Sequence, residues 1–173
     1  MDIRKELLGL QSKAQVFLLA NSIGQDPERF ADLMSLFLGQ ETKLIQRTAA
    51  VMTICGDKHP QLLHPYLKKL ILHLQQPSLP APVKRNILRI LQHPEIPRGQ
   101  QGLLAGFCFE YLSVQEPPAI KAFALTVLAN LARTEPDLNN ELKLVIEDQW
   151  PFASPAFKSR ASKILAAMKK GRR

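Results

Sequence analysis

The stretch PAPVKRNILRIL, residues 80–91, decides the fold because the chain repeats its pattern further on. Each copy has a proline, then a bulky apolar residue, then a lysine. Two later stretches follow this pattern: PPAIKAFALTVL at 117–128 and SPAFKSRASKIL at 154–165. A pattern that returns at long, regular intervals indicates a chain built from repeated structural units.

The copies are evenly spaced when they are aligned on the apolar residue that precedes the lysine. That residue is Val83, Ile120 or Phe157, and neighbouring copies are 37 residues apart. A fourth copy lies upstream at Ile45, 38 residues before Val83, with Gln46 in place of the lysine. The repeat is therefore 37 or 38 residues long.

Apolar residues within each copy fall at the aligned position and at four, seven and eight residues beyond it. Because an α-helix turns once every 3.6 residues, these positions share one face. The first copy departs only at its last position, which is Thr53. Each copy is therefore predicted to be an amphipathic α-helix. The stripe residues are Ile45, Ala49 and Met52; Val83, Ile87, Ile90 and Leu91; Ile120, Ala124, Val127 and Leu128; Phe157, Ala161, Ile164 and Leu165.

Further amphipathic segments alternate with these copies, and most begin beside a proline, which suits the first turn of a helix. Gly39 and Gly56 stand where helices are expected to end. No segment alternates with a period of two, so no strand is predicted. The intervening predicted helices cover residues 26–39, 59–75, 97–113 and 135–149, and an opening helix covers about 3–22.

A helical hairpin that recurs every 37 or 38 residues is the sequence signature of an α-solenoid, in which stacked hairpins share one core. The prediction is an all-α fold: a right-handed α-α superhelix of about four helical hairpins with an N-terminal capping helix. One domain, residues 1–173, is expected. Its parts are a cap at 1–24 and repeats at about 25–56, 57–93, 94–133 and 134–170.

The second helices of the hairpins, such as IQRTAAV and IKAFALTVL, resemble the second helices of HEAT repeats. Both have an apolar residue and a polar or basic one, followed by small or apolar residues. Through QRTAAV, HPQLLHPYL, VKRNILRILQ, ELKLVIEDQ and FKSRASKIL, almost all of residues 27–168 is similar to a group of short bacterial HEAT-like repeat proteins. Some of that group carry the label adenylosuccinate lyase. The serine-rich loop and lysine-containing phosphate-binding segment of that enzyme have no counterpart here, so this activity is not expected.

The apolar runs, the cysteines and the charges of the sequence indicate the kind of protein and its location. No apolar run is long enough to span a bilayer and the first residues do not form a secretory signal, so a soluble, cytoplasmic protein is expected. Cys55 and Cys108 lie in apolar helical patterns and are predicted to be reduced core thiols. The net charge of +8 comes from 23 basic and 15 acidic residues. Four of the basic residues form a C-terminal tip that is expected to be frayed: Lys169, Lys170, Arg172 and Arg173.

The residue types that enzymes use for catalysis and metal binding form no recognisable catalytic or metal site in this sequence. The four histidines lack the helical spacing of zinc hydrolases, and GQQGLLAG has a glycine spacing that favours close helix packing over a nucleotide loop. No catalytic residue, metal or cofactor is therefore predicted, and the chain is expected not to be an enzyme. Trp150 is predicted to pack against Phe152 and Phe157, with an exposed aromatic side chain as the alternative.

The second helices also have an outward side, two and six residues beyond the aligned position, about 200° and 240° around the helix axis from it. In HEAT-like stacks these helices line the concave face, which implies a binding role for this side. The row is interrupted at Ala122 and Thr126, so it forms no continuous basic track, and an ordinary solvated face is the competing interpretation. The predicted partner-binding residues are Arg47, Arg85, Arg89, Lys121, Phe123, Lys158 and Lys163.

The lysines after the aligned residue form a second predicted feature. In HEAT repeats this basic position usually pairs with an aspartate in the preceding turn. Here that turn has Gln40, Pro80, Pro118 or Ser154 instead. The favoured interpretation is that the stems of Lys84, Lys121 and Lys158 cover the edges of the core with their charged ends in water. Without the acids, these lysines are also freer to meet a partner.

These surfaces predict a scaffold or adaptor that binds another protein, through an acidic or extended segment. The alternative is a nucleic-acid-binding module, including a degenerate relative of the HEAT-like DNA glycosylases. The paired tryptophans of those enzymes are not matched by the single Trp150. No membrane and no small-molecule substrate is expected as a partner.

Overall fold

The computed structural model describes residues 1–171, and every element in that range is helical. Short 3-10 turns cover Pro60–Leu62, His64–Tyr66 and Trp150–Phe152. None of the described helices has both the length and the apolar character needed to cross a membrane. The α-helices within residues 1–171 are α1 (Ile3–Gly9), α2 (Lys13–Ile23), α3 (Pro27–Phe37), α4 (Thr42–Lys58), α5 (Leu67–His73), α6 (Ala81–Leu91), α7 (Arg98–Ser113), α8 (Pro118–Leu131), α9 (Leu138–Gln149) and α10 (Pro155–Lys170).

The chain divides into two compact units. The first comprises residues 1–68 and 93–95, and in it α1, α2 and α3 pack on α4. The second comprises residues 69–92 and the chain from 96 onward, and in it α6, α7, α9 and α10 pack on α8. The predicted single domain and its repeat boundaries stay a prediction.

The predicted apolar stripes are confirmed. Each stripe residue of the four copies is buried except Leu165, which is half-buried. Thr53, the polar exception, is also buried, and its hydroxyl donates to the Ala49 carbonyl 2.8 Å away. A threonine is tolerated at this position because its own helix satisfies the hydroxyl.

The opening segment forms two helices, so the prediction of one helix over 3–22 is wrong. Ser12 starts the second helix with a capping box. The Ser12 hydroxyl accepts from the Gln15 amide at 3.3 Å, and the Gln15 side chain accepts from the Ser12 amide at 3.1 Å. These two bonds satisfy amides that a helix end leaves unpaired, which favours a new start at this point.

The segment 59–75 is also not one continuous helix. It forms two 3-10 turns before α5 begins at Leu67. Pro65 explains the interruption, because proline lacks the amide hydrogen that an α-helix needs and its ring collides with the preceding turn. The apolar pattern of this segment predicts one helix, but Pro65 prevents an α-helix from continuing through it.

Both cysteines lie in the core. Cys55 and Cys108 are free and buried, as predicted for core thiols. Burial raises the pKa of the Cys55 thiol to about 11 and raises the pKa of Cys108 as well. Lys169 and Lys170 are exposed and belong to the last turn of α10, and the expected fraying of this tip stays a prediction. Arg172 and Arg173 lie outside the described residues.

Two predictions about glycines are wrong. Gly56 does not end a helix but lies inside α4, where a Cβ atom would come within 2.7 Å of Leu63 Cδ1. Gly99, Gly102 and Gly106 of the GQQGLLAG segment have no neighbouring atom within 4 Å of the position that a Cβ would take. A side chain at residue 56 would therefore displace Leu63, whereas side chains at the three α7 positions would meet open space.

We expect Gly106→Ala to raise the free energy of unfolding by roughly 0.5–1 kcal/mol, because alanine restricts the unfolded chain and favours the helix. Gly56→Ala should lose this gain or reverse it, since Leu63 is buried and must move. Urea denaturation followed by circular dichroism measures both changes. An equal gain at both positions would show that Leu63 does not restrict Gly56.

Candidate partner-binding surface

In the second unit, polar side chains join α6, α8 and α10, which are the second helices of their hairpins. These side chains lie on the outward side of the three helices. Arg160 of α10 donates through Nη1 to Thr126 Oγ1 of α8 at 2.6 Å and to Gln92 Oε1, at the end of α6, at 3.5 Å. Asn130 of α8 donates to the Gln92 carbonyl at 2.8 Å. Gln92 in turn donates to the Arg89 carbonyl at 3.1 Å. A polar network therefore runs from α6 over α8 to α10.

Beside this network lies a groove of about 720 Å³ between α8, α9 and α10, which we call the α8–α10 groove. Its lining includes apolar side chains from α8 and α10, among them Ala129, Ile164 and Ala167. Its lining also includes three cationic side chains: Arg133, Arg160 and Lys163. Among the described residues, no carboxylate lines the groove.

The three cations of the groove have no acidic contact. Within residues 1–171, none of them forms an ion pair. Arg160 is half-buried, and both of its hydrogen-bond acceptors are neutral. The positive charge of the groove is therefore not neutralised by any contact with the described part of the chain.

Four of the sequence-predicted binding residues lie on the exposed side of these helices. Arg85 and Arg89 are exposed on α6, and Lys163 is exposed on α10 and lines the groove. Phe123 is half-buried on α8, three residues before Thr126 and therefore on the same face of that helix. The side chains of Arg85 and Arg89 form no hydrogen bond or ion pair within the described part of the chain.

Arg47, another predicted binding residue, belongs to the first unit and forms contacts within it. Its Nη1 donates to the carbonyls of Leu7 and Leu8, at 2.7 and 2.5 Å, at the end of α1. Val51, predicted to point outward, is fully buried. The outward orientation fails here because α1 and α2 pack on α4. It fails for Ala122 as well, which is buried in α8, a helix packed against both α6 and α10.

The lysines expected to be free have partners within the molecule. Lys84 forms an ion pair with Glu116, and these side chains are only 16% and 10% exposed. The Lys84 Nζ also lies 4.6 Å from the centre of the Tyr111 ring. The prediction that Lys84 lacks an acidic partner is wrong, because the carboxylate comes from the turn before the next second helix, α8.

The two later lysines lie at the junctions between helices. Lys121 Nζ donates to the Leu112 carbonyl and to Gln149 Oε1, both at 3.0 Å. Lys158 Nζ lies 5.9 Å from the centre of the Trp150 ring. The predicted packing of Trp150 against Phe152 is wrong, since Phe152 is 91% exposed. The roles of Lys121 and Lys158 in partner binding stay predictions.

The sequence reasoning missed Arg160, Asn130, Arg133 and Gln92. Arg160 stands three residues beyond the aligned position of its copy, and the other copies have Thr48, Asn86 and Phe123 there. A search for recurring charge cannot find a cation that occurs in one copy only. Its place in the network depends on Thr126 and Gln92, which are 34 and 68 residues away in the sequence.

The helices and their spacing define the class of protein: an all-α helical repeat protein of the α-solenoid kind. A family model, HEAT repeat domain, matches residues 3–168. The chain therefore belongs to the HEAT repeat domain family, which confirms the resemblance of its second helices to those of HEAT repeats. Comparison with curated proteins and with solved structures gives no match.

Proposed function

We propose that the chain is a non-catalytic adaptor that binds an acidic, extended segment of another protein through the exposed side of α6, α8 and α10. The α8–α10 groove carries this proposal, because it combines three cations with apolar lining and has no carboxylate among the described lining residues. Arg85 and Arg89 extend the positive charge to α6. Complementary charge would steer an acidic segment to this surface and fix its register.

An extended protein segment suits this surface better than a nucleic acid. A nucleic-acid backbone presents evenly spaced phosphates and favours a continuous basic track. Here α8 interrupts the cations of α6 and α10 with Ala122, Phe123 and Thr126. Apolar lining from Ala129 and Ile164 would contact the uncharged side chains of a peptide.

The proposal includes no chemical step and no cofactor. Among residues 1–171, no group of three or more histidine, cysteine, aspartate or glutamate side chains is arranged to hold a metal ion. The cytoplasmic location remains a prediction from the sequence. The function rests on the charge and shape of one surface, and an experiment on that surface tests it.

We expect the double reversal Arg85→Glu and Arg89→Glu to weaken binding of a fluorescent glutamate-rich peptide about 5- to 30-fold, or about 1–2 kcal/mol. It should also flatten the dependence of binding on salt, because the lost interactions are electrostatic. Both side chains are exposed, so stability should change by no more than about 0.5 kcal/mol. Fluorescence anisotropy at two salt concentrations and thermal denaturation measure these effects.

The matched control is Lys68→Glu with Lys69→Glu, which changes the net charge equally at two exposed positions on α5. It should leave the affinity for the peptide largely intact. Equal weakening by both pairs would show that only net charge matters, and unchanged binding by the arginine pair would contradict the proposed surface. Tight binding of mixed oligonucleotides with a steep salt dependence would favour the nucleic-acid alternative.

A further inference from the structure

We infer that the α8–α10 groove is a phosphoryl-binding subsite, which takes a phosphoserine or phosphothreonine side chain of the partner segment. This inference rests on the proposed function and makes its partner more specific. It depends on three features of the groove: a positioned arginine with unused donors, an excess of positive charge, and the location of all three cations in the lining of one cavity.

Arg160 is the positioned arginine. Its Nη1 donates to Thr126 Oγ1 and Gln92 Oε1, which fixes the guanidinium beside the groove. A guanidinium has five N–H donors, and those on Nε and Nη2 form no hydrogen bond within the described residues. These donors match the paired oxygens of a carboxylate or a phosphoryl group. Since both acceptors of Nη1 are neutral, the charge of Arg160 remains available to an anion.

The excess charge favours a phosphoryl group over a carboxylate. Arg133, Arg160 and Lys163 line the same groove, and no described lining residue is acidic. A phosphorylated side chain has a charge of about −1.5 to −2 and three acceptor oxygens, whereas a carboxylate has one charge and two oxygens. Arg160 and Lys163 are three residues apart on α10, where like charges repel each other. An ion with two negative charges relieves this repulsion more fully.

The placement of the cations favours one phosphorylated side chain over a nucleic-acid backbone. Arg133, Arg160 and Lys163 line one cavity of about 720 Å³, which leaves room for a phosphorylated side chain and its flanking residues. Ala129, Ile164 and Ala167 also line it and can contact the apolar part of a bound segment. A nucleic acid would place one phosphate here and leave its neighbours without cationic partners on α8.

The test uses three fluorescent peptide libraries with the same randomised flanking residues and a central phosphoserine, glutamate or serine. We expect the full chain to bind the phosphoserine library at least about tenfold more tightly than the glutamate library at physiological salt. Arg160→Gln should remove this preference. Arg160→Lys should restore only part of it, because lysine keeps the charge but lacks the planar fork. Arg98→Gln, at an exposed position on α7 outside the groove lining, is the matched control.

The outcomes separate the inference from the proposed function. Equal binding of the phosphoserine and glutamate libraries overturns the phosphoryl subsite but leaves the acidic adaptor intact. Failure of both libraries to bind contradicts both. Stronger binding of mixed oligonucleotides overturns the inference in favour of nucleic acid. If the Arg160→Gln variant does not fold, the unaltered chain is titrated with inorganic phosphate and its arginine Nε–H signals are followed by NMR. We expect these signals to shift. Unchanged signals would overturn the subsite.

Discussion

Replacement of Leu128 by alanine is expected to lower the free energy of unfolding by about 2–5 kcal/mol, the range typical of leucine removal from a packed core. Leu128 is fully buried on α8 and is the last residue of the apolar stripe of its copy. Because α6, α7, α9 and α10 all pack on α8, we expect the surrounding helices to relax only partly into the cavity. The cost should therefore include both the lost apolar burial and the cavity that remains.

Leu144→Ala is the matched control for this experiment. Leu144 lies on α9 but is 66% exposed, so its removal should change stability by no more than about 0.5 kcal/mol. Chemical denaturation, followed by circular dichroism, gives both free energies. Similar losses for the two variants would mean that α8 is not the centre of the core of the second unit.

The sequence predicts the helices well where a long-range repeat supports them. The aligned residues Val83, Ile120 and Phe157 are all buried, since the interval of 37 residues and the helical period both restrict the same positions. Predictions that relied on apolar character alone were less accurate. The capping box at Ser12 and the ring of Pro65 each interrupt a predicted helix, and both are local features that a search for periodicity does not weigh.

The surface was less predictable because exposure depends on which helices are neighbours. Arg85 and Val51 occupy outward positions of equivalent helices, but only Val51 is covered, by the packing of α1 and α2 on α4. Arg160 joins the surface through acceptors on two other helices. A sequence repeat shows which residues face the core of their own hairpin, but it does not show the contacts that the remaining side chains make.

The ion pair of Lys84 and Glu116 is another contact that the sequence repeat does not show. Breaking it has the second largest expected effect on stability. Both side chains are mostly buried, and Lys84 also lies against the Tyr111 ring. We expect Glu116→Ala to lower the free energy of unfolding by about 2–4 kcal/mol, because it leaves a mostly buried ammonium without its carboxylate. An exposed ion pair contributes much less, so Glu41→Ala, which breaks the exposed pair with Arg4, should cost only about 1 kcal/mol or less.

The double variant Lys84→Met with Glu116→Leu separates the loss of a contact from the cost of an unpaired charge. If the unpaired ammonium causes the destabilisation, the two apolar side chains should recover most of the stability lost in Glu116→Ala, since a buried pair is often replaced by apolar residues at little cost. Urea denaturation of the three variants and the unaltered chain measures this recovery. A double variant as unstable as Glu116→Ala would instead assign the effect to the packing of the Glu116 side chain in the turn before α8.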